Sequence, residues 1–164
     1  MSNDLILFAC GATALISGIV SGVFLTFSDF VMRSLVATTP ETGIQSMQLI
    51  NRKVYKSLFI YLLLGLAPVY AALSVYGITV VQPPASGWLI SGGLVYIFGV
   101  FLVTMLYNVP MNKRLDVIDG AQRGSNAYWR HYATIWTRWN HLRTLAAAVS
   151  ALCYFMACMA LVGA

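Results

Sequence analysis

The sequence predicts an all-α integral membrane protein, built as a four-transmembrane-helix bundle. Composition is the first reason, because 59% of the 164 residues are hydrophobic and only 9% are charged. A soluble domain has about 45–50% apolar and about 25% charged residues. The second reason is that four apolar runs reach the roughly 20 residues that a helix needs to cross the hydrocarbon core. The third is that all ten basic residues fall in two segments between these runs.

We place the spans at about residues 5–30, 55–80, 88–107 and 143–162, within a single membrane domain of residues 1–164. The first run is too long for the apolar part of a signal peptide, which has roughly 7–15 residues. Two of the spans carry small-residue faces, formed by Gly11, Gly18 and Gly22 in the first and Gly92, Gly93 and Gly99 in the third. Such faces serve either packing inside the bundle or contacts in a homo-oligomer.

Two polar segments, residues 31–54 and 108–142, join the spans and are predicted to form amphipathic helices. Thr39 followed by Pro40 is typical of a helix start. Pro110 has no N–H, so the third helix should kink or end there. A last helix is predicted to begin at about Ser125 and to continue through the fourth span to about Leu161.

The basic residues indicate the topology. They lie in the two polar segments or within two residues of them, at Arg33, Arg52, Lys53, Lys56, Lys113, Arg114, Arg123, Arg130, Arg138 and Arg143. By the positive-inside rule both segments are cytoplasmic and both termini are on the outer side. We therefore expect a multi-pass protein of the bacterial inner (plasma) membrane with the lipid bilayer as its partner. Nucleic acid is excluded as a partner, since the charge sits beside apolar spans and not on a separate basic module.

A candidate ligand site lies where the second polar segment meets the fourth span. Trp136, Trp139, Asn140 and Arg143 are spaced to share one helix face. An inward arginine beside two indoles suits a planar ligand that is anionic or phenolic. The alternative is an aromatic belt with an arginine that reaches to the interface. The amides of Asn108 and Asn112 are suited to the carbonyls freed near Pro110, or to a ligand.

The sequence contains no motif for a metal site and none that requires a cofactor. It does not identify any cofactor that the protein uses. His131 and His141 are ten residues apart, about 80° around a helix, so one helix does not bring them to one metal. Neither a protein metal nor haem is favoured. The cysteines, Cys10, Cys153 and Cys158, lie in apolar runs and are expected to be free thiols. No motif for a hydrolase, kinase or nucleotide-dependent enzyme is present.

Three blocks carry a family resemblance: residues 47–52 (Met-Gln-Leu-Ile-Asn-Arg), 108–112 (Asn-Val-Pro-Met-Asn) and 136–145 (Trp-Thr-Arg-Trp-Asn-His-Leu-Arg-Thr-Leu). In order and spacing they resemble the signature blocks of the anthrone-oxygenase-like family, small four-span membrane proteins long catalogued as a domain of unknown function. The chain departs from many relatives at Arg33, where they have proline. The resemblance implies oxidation of an anthrone- or phenol-like aromatic substrate by molecular oxygen.

The resemblance also suggests roles for the candidate residues. His141 or Asp29 would take a proton from the substrate, and Arg143 would stabilise the resulting anion. The amides of Asn108, Asn112 and Asn140 would assist Arg143, while Trp136 and Trp139 would stack on the rings. The alternative is a non-catalytic membrane module, either a binder of lipophilic ligands or an accessory subunit of a membrane complex. A transporter is disfavoured because the middle of each span lacks charge.

Overall fold

The computed structural model describes residues 3–122 and 124–163, and in these ranges the chain is helical without strands. Met1, Ser2, Arg123 and Ala164 lie outside the described residues. The α-helices, in order, are α1 (Asn3–Thr26), α2 (Met32–Val36), α3 (Pro40–Val54), α4 (Leu58–Thr79), α5 (Ala85–Tyr96), α6 (Val109–Asp116) and α7 (Ser125–Val162). π-Helical turns join α1 to α2 and α5 to α6.

Four of the resulting helical rods are long and apolar enough to cross a membrane. They are Asp4–Val36, Leu58–Thr79, Ala85–Asp116 and Ser125–Val162, with mean hydropathies of 2.0 to 2.2. Large apolar side chains cover the outside of these rods, as shown by Phe8 and Leu58, which are 76% and 73% exposed. The prediction of a four-span, all-helical integral membrane protein is confirmed.

The predicted helix boundaries near the polar segments are confirmed at two of three places. Thr39 caps α3, and its hydroxyl accepts a hydrogen bond from the Thr42 amide at 3.3 Å. The last helix runs unbroken from Ser125 to Val162. At Pro110, however, the third helix does not end. It passes through π-helical turns, Ile97–Leu102 and Thr104–Asn108, and continues as α6.

The π-helical turns explain how proline is accommodated inside this rod. A π-turn bonds each N–H to a carbonyl five residues back, and it widens the helix locally. Pro110 falls at the first positions of α6, where the fixed φ of proline suits the helix. The first rod also contains a π-helical turn, Phe27–Val31. This rod continues to Val36, whereas the sequence predicted that the span would end near residue 30.

The bundle has two hydrophobic cores, and α7 contributes side chains to both of them. The core within the spans is organised around three tyrosines, in which Tyr70 stacks on Tyr96 at 4.5 Å and meets Tyr154 edge-on at 4.6 Å. The core on the basic side joins α3, α6 and the first half of α7 through Met47, Leu115 and their neighbours. Between these two cores lies the cavity described below.

The two glycine faces have different environments. A Cβ atom built on Gly92 would lie 2.7 Å from the Tyr154 ring, and one on Gly99 would lie 2.6 Å from Ala146 Cβ. The third span therefore uses its glycines for close packing inside the bundle. In the first span, a Cβ on Gly11 or Gly18 would meet no described atom within 4 Å. Contact between copies of the chain through this open face stays a prediction.

Candidate functional site

A cavity of about 80 Å³ lies between the cores, where all the rods converge on the basic side of the bundle. On the same scale one water needs about 10–15 Å³, so the cavity holds several water-sized groups. Its polar lining consists of Asn51, Thr104, Asn108, Asn112, Asn140 and Arg143. Its apolar lining includes Phe24, Phe27, Met47, Phe59, Leu63 and Trp136.

Arg143 is the only formal charge among the described residues that line this cavity. Its side chain is 5% exposed. The guanidinium lies over the Phe24 ring at 4.3 Å and faces the Trp136 ring at 5.3 Å. It donates from Nη1 to Thr104 Oγ1 at 3.3 Å and from Nη2 to Asn140 Oδ1 at 2.6 Å. A buried cation is costly unless an opposite charge is near, and here the lining supplies aromatic faces and neutral oxygens instead.

Asn140 fixes the position of this arginine. Besides accepting from Arg143, its side-chain nitrogen donates to the Phe24 carbonyl and to Ser28 Oγ, each at 2.7 Å. The side chain is fully buried. Ser28 belongs to the π-helical turn of the first rod, so the widened turn brings its hydroxyl to the amide. The guanidinium is thus tied through one amide to a different transmembrane rod.

Three polar atoms of the lining have no hydrogen-bond partner among the described residues: Arg143 Nε, Asn108 Oδ1 and Asn51 Nδ2. All three belong to side chains that are at most 6% exposed. Leaving such a buried atom unpaired costs about 1–3 kcal/mol. These two donors and one acceptor belong to residues that line the cavity.

Asn112 acts differently from the other amides. Its Oδ1 accepts hydrogen bonds from Tyr132 Oη and from Trp136 Nε1, both at 2.8 Å. These rings form a stack along α7, with Trp129 and Tyr132 at 5.8 Å and Tyr132 and Trp136 at 6.1 Å. Asn112 lines the cavity, but its oxygen holds the aromatic wall in place.

The structure brings together five of the eight site residues suggested by the sequence: Asn108, Asn112, Trp136, Asn140 and Arg143. Trp139 lies outside the cavity and stacks on Tyr107 with ring centroids 3.8 Å apart. The His141 side chain is exposed on another face of α7, where it lines a separate groove. Asp29 is exposed on the π-helical turn, and the cavity lining does not include it.

Other residues of the site carried little or no signal in the sequence. The sequence makes Asn51, like Gln48, a candidate for pointing into the bundle from an amphipathic helix, and the structure shows Asn51 6% exposed and lining the cavity. Ser28 and Thr104 are single hydroxyls within apolar runs. Thr104 also donates to the Val100 carbonyl at 2.7 Å, the local bond that lets a hydroxyl sit in any membrane helix.

The described residues contain no group of three or more His, Cys, Asp or Glu side chains that could hold a metal ion. Within the same ranges Cys10, Cys153 and Cys158 are free thiols, as the sequence predicts. The cavity therefore offers a guest one cation, amide groups and aromatic surface.

The fold and the site define a small four-span membrane protein with an apolar cavity that contains a buried guanidinium. The family model described as anthrone oxygenase matches residues 48–153, and the chain belongs to this family. The resemblance inferred from the three sequence blocks is thereby confirmed. Comparisons with curated proteins and with solved structures gave no match. The matched residues run from the middle of α3 into α7 and contain every cavity residue that follows Met47 in the chain.

Proposed function

We propose that the protein oxidises a planar, lipophilic and weakly acidic aromatic substrate, an anthrone or a related phenol, with molecular oxygen. The observation that supports this most directly is the buried guanidinium of Arg143, which has no carboxylate among the described residues that line its cavity. A guest that ionises inside the cavity supplies the missing negative charge. The guanidinium in turn favours the ionised form, because an opposite charge nearby stabilises it.

The free hydrogen-bonding atoms suit such a guest. An enolate or phenolate oxygen would accept from Arg143 Nε and from Asn51 Nδ2, and a hydroxyl would donate to Asn108 Oδ1. The aromatic ring of Trp136 provides a flat wall beside these atoms. Negative charge develops on the substrate oxygen during the reaction. Hydrogen-bond donors that are already in place around this oxygen stabilise the transition state.

Access from the membrane fits the apolar character of the substrate. Tyr55, Phe59 and Ile60 lie among the residues that line the cavity. Tyr55 is 48% exposed, and the other two are partly exposed. We place the reacting ring of the substrate in the cavity and the remaining rings along these apolar side chains, with oxygen arriving through the lipid.

The reaction consumes one O2 per anthrone and yields one anthraquinone and one water. Loss of a C–H proton from the methylene carbon gives the enolate, which Arg143 would hold. Oxygen adds to that carbon, a C–O bond forms, and the peroxide takes up a proton. Loss of the second C–H proton breaks the O–O bond, leaving the new carbonyl and hydroxide, which becomes water. All electrons lost by the substrate pass to oxygen.

The proton acceptor is water in our scheme. The described lining residues include no carboxylate or imidazole, and both His141 and Asp29 lie on other surfaces. Arg143 would lower the energy of the enolate enough for a weak base to suffice. Substitution of His141 by Gln is accordingly expected to leave turnover unchanged.

The test uses the purified full chain in lipid nanodiscs, with a hydroxylated anthrone as substrate. Quinone absorbance and oxygen uptake should show one O2 consumed per anthrone. Arg143→Gln should lower kcat by about 10²–10³-fold, the usual loss for one anion-stabilising donor. Arg138→Gln is the matched control, because Arg138 is exposed and lies outside the cavity. Retention of the helical circular dichroism signal establishes that both variants fold.

Two results would overturn the proposal. If Arg143→Gln oxidises the anthrone at the rate of the unchanged protein, the guanidinium does not act on the substrate. If the unchanged protein binds the anthrone, as shown by quenching of tryptophan fluorescence, yet accelerates no oxygen uptake, it is a ligand-binding membrane module and not an oxygenase.

A further inference from the structure

A second concave surface lies on the face of α7 away from the cavity. We call it the basic groove, and it is formed by Arg33, Arg130, Thr134, Thr137, Arg138 and His141. Its volume is about 610 Å³, and it is open to the surroundings. Arg33 comes from α2 and the others from α7, so the groove is built across two rods. The groove and the cavity share no lining residue.

The groove carries three permanent cations and no acidic residue among the described residues that line it. All three arginines and His141 are exposed. The salt bridge found in the described ranges, Arg52 with Asp116, joins α3 to α6 and lies elsewhere. Asp29, which precedes Arg33 by one helical turn, is exposed and does not line the groove. The positive charge therefore faces the solvent without compensation from the lining.

The groove begins at the level where the apolar part of the protein starts. Arg138 and His141 immediately precede the apolar half of α7, which continues to Val162. On the other wall, Met32 and Val36 add apolar surface, and Val36 is 48% exposed. Cationic and apolar walls thus meet at one membrane boundary.

We propose that the basic groove binds the phosphate of an anionic phospholipid, such as phosphatidylglycerol, from the adjoining leaflet. The planar guanidinium groups of Arg33, Arg130 and Arg138 match the geometry of phosphate oxygens. Basic pockets between membrane helices bind lipid headgroups in this manner, and each cation near the surface adds attraction. A free phosphate would use the arginines alone. A phospholipid also uses the apolar wall of Met32 and Val36, which is why we assign the membrane as the source.

The experiment measures lipid retention by native mass spectrometry after extraction from nanodiscs of phosphatidylcholine with one-fifth phosphatidylglycerol. The unchanged protein should retain one phosphatidylglycerol in preference to phosphatidylcholine. The double variant R33Q/R138Q should lose this preference by about 30-fold, the effect of two surface cations. The control K53Q/K56Q removes the same charge from the same side of the molecule, at exposed positions outside the groove. It should retain the lipid.

Three outcomes would overturn the proposal. Equal loss in both double variants would show diffuse attraction between a basic surface and the leaflet. Unchanged retention in R33Q/R138Q would show that the groove does not hold the lipid. Displacement of the lipid by millimolar inorganic phosphate, with equal affinity for both, would show a phosphate site that does not recognise the membrane. Anthrone oxidation by R33Q/R138Q in phosphatidylcholine nanodiscs should be unchanged, because both side chains lie outside the cavity.

Discussion

Arg143 donates a hydrogen bond of 2.6 Å to Asn140, which lies almost one helical turn before it on α7. The same Asn140 side chain donates to the Phe24 carbonyl and Ser28 Oγ of the first rod. The position of the Arg143 guanidinium therefore depends, through this one amide, on the position of the first rod. Phe24 and Ser28 lie outside the residues matched by the family model, so the amide joins that matched region to the preceding rod.

Asn140→Ala should lower kcat for anthrone oxidation by about 100-fold with a smaller change in KM. The variant keeps the charge of Arg143 but removes the hydrogen bond that orients the guanidinium. Misplacing a catalytic group by about 1 Å lowers the rate by about this factor. Steady-state kinetics in nanodiscs provide the measurement. Asn126→Ala is the control, since Asn126 is an exposed amide on the same helix. An unchanged kcat per folded molecule in Asn140→Ala would remove Asn140 from this positioning role.

Asn112→Ala should destabilise the protein by about 2–4 kcal/mol. The change leaves the buried Tyr132 hydroxyl and Trp136 indole N–H without the oxygen that both use, and each unpaired donor costs about 1–3 kcal/mol. Tyr132→Phe removes only one donor and should cost about 1 kcal/mol. Unfolding in mixed detergent, followed by tryptophan fluorescence, measures both. If Asn112→Ala is no less stable than Tyr132→Phe, the shared oxygen does not hold the aromatic stack.

Gln48→Ala should destabilise the basic side more than Asp116→Asn does. Gln48 Nε2 donates to the carbonyls of Leu115 and Ile118, both at 2.9 Å, where α6 ends. The Arg52–Asp116 pair is short, at 2.7 Å, but its side chains are 62% and 42% exposed. Exposed pairs contribute about 0–1 kcal/mol, whereas losing two hydrogen bonds to half-buried carbonyls costs about 1–2 kcal/mol. Denaturant unfolding at low and high salt distinguishes them, since salt weakens only the ion pair.

The sequence predicted the spans well because length and hydropathy are local properties of the chain. It predicted part of the site because Trp136, Asn140 and Arg143 share the buried stripe of α7. The same helical geometry places His141 outside this stripe, because it lies two residues from Arg143 and therefore about 200° around the helix. Trp139 lies at the edge of the stripe, where it meets Tyr107 instead of the cavity.

The rest of the site depends on the π-helical turns, which sequence patterns do not reveal. A π-turn rotates all following side chains relative to a regular α-helix, so helical spacing no longer predicts which face they occupy. Ser28 and Asn108 both belong to such turns, and both are buried. Asp29 follows Ser28 directly and is exposed. Tertiary packing against Asn140 therefore determines that Ser28, and not Asp29, is buried.

Gly92→Ala should destabilise the bundle, while Gly11→Ala should not. An added methyl at Gly92 would lie 2.7 Å from the Tyr154 ring and 2.9 Å from Cys153 Cβ, so the packed core must shift. Overpacking of this kind costs about 1–3 kcal/mol. At Gly11 the methyl would meet no described atom within 4 Å, and alanine favours helix over glycine by about 0.5–1 kcal/mol.

Labelling of the buried thiols of Cys10 and Cys153 measures how these glycine substitutions change the stability of the bundle. Each thiol becomes reactive to a fluorescent maleimide when the bundle opens, so the midpoint temperature of labelling follows unfolding. For Gly92→Ala the midpoint should fall by several degrees, and for Gly11→Ala it should stay the same or rise. A lower midpoint for Gly11→Ala, together with a smaller particle in size-exclusion chromatography, would show that the open face of the first span is buried between copies of the chain. Internal packing at Gly92 would be refuted if its alanine variant labelled at the temperature of the unchanged protein.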